Sequence, residues 1–459
     1  MSKNTSVIEN AKSIRSRKRK KLNITNIMLN YALYFIIFAF PVTLCDTKKY
    51  SNYTLYRAIP VKESHLNFLS KLDGMYDVNF WRSPSTLMKP IDFVINPSDQ
   101  KHFLREADSL GLYLTTLIHD VQKAFDKQTV KSYIRRRMDS FDWMNYFRLE
   151  DIYTWLTDLS NLYPEVMTLE SIGKTHENRD IMSVRILLKD NNRKLKYKRP
   201  VIIVEGGIHA REWIAPAFVT YLIYQILHAD TSKDKALKKV AYSYEWYFVP
   251  VLNVDGYEHT HTADRLWRKN RHGHGVDLNR NFAHGFGTYG VSLKEKSETY
   301  CGPRAFSEME SKAMSEFIRS KSDSLKYYFA FHSYGQYMIL PYADSTKHLD
   351  NFDQVSKMCK RAAMRISLRD GTKYVVGTAY DTVGYKTSGV SGCWVKSNFK
   401  VPYVITFELR DDGADGFALP PAKILPTCME TLDGLNLKFL NCMLRHLMTS
   451  LSSICSYLK

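Results

Sequence analysis

The run VIIVEGGIHAREWIAPA, Val201–Ala217, places His209 and Glu212 three positions apart just after the pair Gly206-Gly207. An imidazole and a carboxylate at that spacing in one turn can reach the same ion. A further imidazole, His332, lies near the end of the apolar run YYFAFHS and could supply a third ligand. Two histidines and one carboxylate, with a fourth position left to water, are the donor set of a catalytic zinc site. A bare His-x-x-Glu is more often an exposed helix pair. The glycines before His209, and Arg211 and Trp213 on either side of Glu212, separate this one from that background. Further polar clusters follow at wide intervals: TADRLWRKNR (Thr262–Arg271), GVDLNRNF (Gly275–Phe282) and TFELRDDG from Thr406.

Side chains so far apart in sequence need a framework. Apolar runs at Val201–Gly207, Trp246–Asn253, Tyr327–Ser333 and Tyr403–Leu409 alternate with long helical patterns. That alternation predicts strands buried on both faces by helices. In such sheets the chemistry collects in loops beyond the strand ends, where His209, His332 and Glu408 fall. The helix after His209 is expected to be entered near Pro216, since proline suits a first turn. Residues 138–459 suffice for one large α/β domain. The block 46–137 instead mixes strand-like pieces (Tyr53–Val61, Ile91–Pro97) with amphipathic helical ones (Glu63–Leu72, Asp99–Leu110, Asp120–Lys127). It reads as a small α+β unit with its own core. Its end, Arg135-Arg136-Arg137, is a solvated basic turn or, in an exported chain, a processing site.

With these motifs in this order, the chain resembles the zinc metallocarboxypeptidases of the pancreatic carboxypeptidase A/B type. The resemblance runs from about Tyr50 to about residue 445 and includes a prodomain-like segment with YRAIP and Phe80-Trp81. It implies an α/β fold, a mixed central sheet with helices on both faces, preceded by a small α+β activation prodomain. It also implies one zinc ion per chain, on the His₂Glu ligand set described for carboxypeptidase A. By the same resemblance His209, Glu212 and His332 are the zinc ligands, Glu408 the general base and Arg268 the stabiliser of the oxyanion. Asn279 and Arg280 match the pair that grips a substrate's terminal carboxylate, a task suited to a bidentate guanidinium. Tyr385, nine positions before Trp394, matches a mobile tyrosine that closes over the bound residue. Arg211 resembles a further substrate contact, and Asp277 an acceptor that orients His209.

Two departures stand out. In SGVSGCW (Ser388–Trp394), Gly392 occupies the place where apolar-specific members carry a bulky aliphatic residue and basic-specific members an aspartate. An uncharged base favours apolar or aromatic terminal residues, with a Lys/Arg preference left open through Asp344 and Asp381 in nearby loops. The usual disulfide is missing, with Gly273 and Lys296 at its two places. Cys301, Cys359, Cys393, Cys428, Cys442 and Cys455 either pair among themselves or stay as buried thiols.

The chain has 459 residues and a formal net charge of +18, which at face value suggests a nucleic-acid partner. The charge is unevenly spread, however. Residues 1–22 hold eight Lys/Arg against Glu9 alone, and precede an 18-residue apolar run, Ile27–Leu44. Thr43 and Cys45 are small enough for a cleavage site, so residues 1–45 read as a secretory signal, or as a signal anchor if uncleaved. Initiation at Met28 would leave a shorter signal. The remaining excess is spread over more than four hundred residues, which argues against a nucleic-acid-binding face. The expectation is a secreted monomeric zymogen: signal 1–45, prodomain 46–137, catalytic domain 138–459. A trypsin-like or furin-like protease would activate it to act on peptide or protein C-termini. It would meet a membrane only through an uncleaved signal. A non-catalytic peptide-binding homologue would be expected to lose a ligand, Arg268 or Glu408, and all are retained.

Overall fold

The computed structural model describes residues 47–128, 141–189 and 198–435. The basic N-terminal block, the apolar run, the tribasic stretch, Cys442 and Cys455 lie outside them.

The first sheet has strands β1 (Thr54–Ala58), β2 (Val78–Arg82), β3 (Ile91–Ile95) and β4 (Leu114–Ile118), in the order β2-β3-β1-β4 and antiparallel throughout. Strand alternation gives it two different faces. Tyr56, Ala58, Ile91, Phe93 and Ile95 pack with Leu69, Leu72, Phe103 and Ala107 of the helices Glu63–Met75 and Pro97–Ser109. The alternate residues Leu55 and Val94 belong to a second cluster with Trp81, Phe125, Leu266, Tyr334 and Phe417. This sheet is therefore apolar on both sides, one for its own helices and one for the rest of the chain. The helix Pro97–Ser109 starts two residues earlier than the sequence suggests. The Asn96 side chain accepts from Ser98 N at 3.1 Å and Pro97 follows the cap, a combination that fixes a helix start.

The second sheet runs β11-β10-β12-β9-β7-β8-β6-β5. Its strands are β5 (Met167–Lys174), β6 (Asp180–Ile186), β7 (Val201–Gly206), β8 (Glu245–Val249), β9 (Leu325–Ser333), β10 (Tyr337–Ile339), β11 (Val375–Gly377) and β12 (Tyr403–Leu409). The central strands β8, β7, β9 and β12 are parallel, and the flanks include antiparallel pairs, so the sheet is mixed. β8 ends at Val249, short of the expected Asn253, because Pro250 has no N–H to continue the ladder. Helices cover both faces. Phe218 of the helix Ile214–Leu227 packs on Phe331 of β9, which stacks on its partner Phe407 in β12. Gly392 of the helix Ser391–Phe399 abuts Val404 and Thr406, which point to the other side of β12. Cys301, Cys359, Cys393 and Cys428 are buried free thiols, so no disulfide forms among the described residues.

Candidate metal centre and active-site cleft

β7, β9 and β12 run parallel and side by side, so their C-terminal ends share one edge of the sheet. In that register Glu408 on β12 lies directly opposite His332 on β9. After β7 the chain turns through Gly207 at φ +64°, where a Cβ would meet Pro216 and Val251 at 3.1 Å. Only glycine suits both the conformation and the space. The turn delivers His209 and Glu212, and the helix begins at Ile214, two residues before Pro216. Proline is accepted there because the first-turn amides lack intrahelical partners.

The three candidate ligands are buried and converge. His209 Nδ1 is 2.8 Å from Glu212 Oε1, and His332 Nδ1 is 3.1 Å from Glu212 Oε2. The two imidazole nitrogens face each other at 3.2 Å. Two such nitrogens and a carboxylate leave one pocket of lone pairs, which a divalent cation satisfies together and a single proton does not. All three donor atoms lie within 4.8 Å of one another, and the set is the N/N/O set that zinc takes. The far side of His209 is fixed. Its Nε2 donates to Asp277 Oδ1 at 3.1 Å, which leaves Nδ1 as the free ligand atom. Asp277 also accepts from Arg268 Nη2 at 2.9 Å and from Asn279 N at 3.0 Å.

Charge in this cluster is strongly coupled. Burial alone would raise Asp277, yet Arg268, Arg280 and His209 hold its carboxyl well below the usual range. Glu408 is pushed up to about 8 by burial, with the charge of Glu212 adding and His332, Arg268 and Arg82 opposing. A cation among the ligands reverses that balance and favours ionised Glu408. Arg268 Nη1 is 3.7 Å from Glu212 Oε1, so its guanidinium borders the ligand cluster.

The cleft around these groups has a volume of about 650 Å³. Arg211, Arg268, Asn279, Arg280, Tyr385 and Glu408 all line it. Arg280 is braced by Gly290 O and Asn279 O, each at 3.0 Å, and the Asn279 side chain accepts from Ser391 N at 3.0 Å. Gly392 is not on the cleft wall. It sits behind Thr406, which is. Asp344 is 3.3 Å from His284 and Asp381 is 3.0 Å from His348, so both loop carboxylates are paired away from the wall.

The first sheet supplies one side of this cleft. Phe80, Trp81 and Arg82 of β2, with Ser83, Pro84, Ser85, Lys89 and Pro90 after it, face the residues above. Arg211 donates to Asn79 Oδ1 at 3.1 Å and to Phe80 O at 3.2 Å, while its guanidinium lies 4.4 Å over the Phe417 ring. Arg57 spans Asp92 at 2.6 Å and Asp412 O at 2.7 Å, and Tyr334 OH donates to the same Asp92 at 2.9 Å. Phe80-Trp81 is visible as a motif in the sequence, whereas the engagement of Arg211 by Asn79 and the Phe80 carbonyl is not, because nothing local in VNFWR marks a partner so far along the chain.

A model of the zinc carboxypeptidase family matches residues 152–434. The chain belongs to the zinc carboxypeptidase family. The carboxypeptidase activation peptide family matches residues 56–128, the segment that builds the first sheet. Over 414 residues the chain is 35% identical to zinc carboxypeptidase A 1 of Anopheles gambiae, covering 88% of this chain and 93% of that one. Over 391 residues it is 33% identical to carboxypeptidase B of Rattus norvegicus, covering 82% and 91%. The crystal structure of thrombin activatable fibrinolysis inhibitor superposes with a TM-score of 0.78 at 29% identity, over 84% of this chain and 97% of that one. This family member is therefore a metallo-exopeptidase made with an activation peptide, and zinc is its cofactor. Its relatives carry both A-type and B-type names, so terminal-residue preference rests on the pocket.

Proposed function

We propose that the chain is a secreted, monomeric zymogen that removes apolar or aromatic residues one at a time from peptide C-termini. The observation that carries the reading is the meeting of His209, Glu212, His332, Glu408 and Arg280 around one cleft. His209, Glu212 and His332 hold the zinc ion. When bound, zinc supplies a Lewis acid that polarises the scissile carbonyl and makes water acidic enough to deprotonate near neutral pH. Arg280 and Asn279 take the terminal carboxylate, and Tyr385 closes over the terminal residue. Glu408 accepts the proton of the attacking water and passes it to the leaving amine. Arg268 stabilises the oxyanion from a fixed position, so no reorganisation is needed as charge develops. Arg211 contacts the substrate once Asn79 and Phe80 have left it.

The preference for apolar ends is supported by Ile339, Ala343 and Val390 on the wall, with Asp344 and Asp381 engaged by histidines. The domain limits proposed are 1–45 for the signal, 46–137 for the prodomain and 138–459 for the catalytic domain. A trypsin-like or furin-like protease would cut near Arg135–Arg137. Among the described residues no helix is long and apolar enough to cross a membrane. Expression in a secretory host tests this part: a medium-borne protein starting at Asp46 is the expected product, and a chain retained in the membrane with residues 1–45 attached would refute it.

A further inference from the structure

Each imidazole of the ligand cluster has a second ring nitrogen that something must hold. That of His209 donates to Asp277. His332 turns its Nδ1 to Glu212, so its Nε2 points away from the cluster. This nitrogen is buried and has no hydrogen-bond partner in the protein. A ligating histidine ordinarily donates that N–H to a carboxylate, a carbonyl or a water.

The strand register brings a carboxylate toward it. Glu205 on β7 pairs with Ala330 on β9, and side chains two apart on a strand share a face, so Glu205 and His332 point to the same side of the sheet. With strands about 4.8 Å apart and a rise of about 3.3 Å per residue, their backbones are roughly 8 Å apart. Two long side chains and one water molecule span that distance. Glu205 is fully buried; Tyr328 OH donates to its Oε2, while its Oε1 has no partner. The Ser391 hydroxyl is likewise buried and without a partner. It opens the helix Ser391–Phe399, which lies against Thr406, and Thr406 pairs with Ala330 from the other side. The charge of His332 and the hydroxyl of Ser391 both act on the Glu205 carboxyl, so the three groups are close. Leaving buried polar atoms unmatched is costly. A ring nitrogen, a carboxylate oxygen and a hydroxyl are a set that a single internal water satisfies, since such waters make about three hydrogen bonds.

We infer that Glu205 is the positioning residue of His332: its Oε1 takes the imidazole Nε2–H through one buried water that Ser391 Oγ also holds. The inference rests on the reading of His332 as a zinc ligand. Both ligating imidazoles then have a carboxylate behind them, Asp277 directly and Glu205 at one remove. A carboxylate there fixes the ring with Nδ1 free and makes it a more basic ligand. Ser391 also gives its amide to Asn279 Oδ1 at 3.0 Å. The same water therefore joins the metal centre to a side chain proposed to grip the substrate's end.

The test uses the full-length chain and two readouts: zinc affinity by competition with a chelator, and the visible absorption spectrum of the cobalt(II)-loaded protein. Glu205→Gln keeps the shape and removes the charge, and should bind zinc about 10–100-fold more weakly, with shifted cobalt bands. Glu205→Asp keeps the carboxylate and leaves room for a second water, so it should recover most of the lost affinity. Ser391→Ala, a milder change, should weaken zinc binding in the same direction by less. Wild-type affinity and an unshifted spectrum in Glu205→Gln would overturn the inference, and so would an unaltered Ser391→Ala protein. Equal losses in the two Glu205 variants would also overturn it, since packing and not charge would then hold the ring. His332→Ala should lose the ion outright. Zinc bound by that variant at wild-type affinity would remove the ligand assignment itself, a failure distinct from those of the Glu205 variants.

Discussion

Asp277 ties three parts of the cleft together at the level of single atoms: an imidazole, a guanidinium and the Asn279 amide. Its folded pKa lies below its unfolded one, so its contribution to stability is complete above about pH 4 and is lost only as pH falls through the folded value. Asp277→Asn should keep the fold at neutral pH but weaken zinc binding about 10–100-fold, measured by competition with a chelator. Unchanged affinity would show that Asp277 does not orient His209. Glu408→Gln should lower kcat about 10²–10⁴-fold with the zinc count unchanged, the usual range for loss of a general base. A variant that loses zinc as well would make Glu408 a ligand instead. His209 and Glu212 were legible because their spacing and the glycines before them are local signals. His332 stood out as a strand end, and Glu408 only through the resemblance of TFELRD to the family's motif. The engagement of Arg211 was not legible, because its partners come from a different sheet.

At the scale of elements, burial decided what the sequence could reveal. β7, β8 and β9 are almost entirely buried, so their apolar runs stand out. β5 alternates irregularly between exposed and covered residues, and β10 and β11 have three residues each, so neither pattern nor length marks them. β2 is half-buried along most of its length because it faces the cleft. Its Trp81 packs 5.3 Å from Phe417 and 6.5 Å from Tyr334, and fills space that a side chain at Gly416 would take. Trp81→Ala should therefore loosen the activation peptide by about 3 kcal/mol or more, within the range for deleting a buried aromatic side chain. The expected result is measurable peptidase activity in the uncut zymogen, read with a short peptide. An uncut variant as silent as the wild type would show that Trp81 does not hold the cover in place.

The whole molecule has its own pH response. Glu205 on β7 is fully buried, accepts from Tyr328 OH, and is pushed up to about 7 by burial, with His332 and Ser391 opposing. Its unfolded form ionises near 4.5, so the unfolded chain binds fewer protons between those values and stability falls as pH rises through that window. In chelator-treated protein Glu205→Gln should flatten that fall, by up to about 3 kcal/mol at pH 8 in urea titrations. An unaltered slope would assign the fall to other groups. About two thirds of the +18 net charge lies ahead of residue 138, outside the proposed catalytic domain. The most direct test of the account is to incubate the 138–459 form with peptides ending in Phe, Leu, Lys, Arg or Glu, with and without a zinc chelator. Release of the last residue alone, fastest from Phe and Leu and abolished by chelation, is the predicted result. Cleavage at internal bonds, or no cleavage with zinc bound, would contradict it.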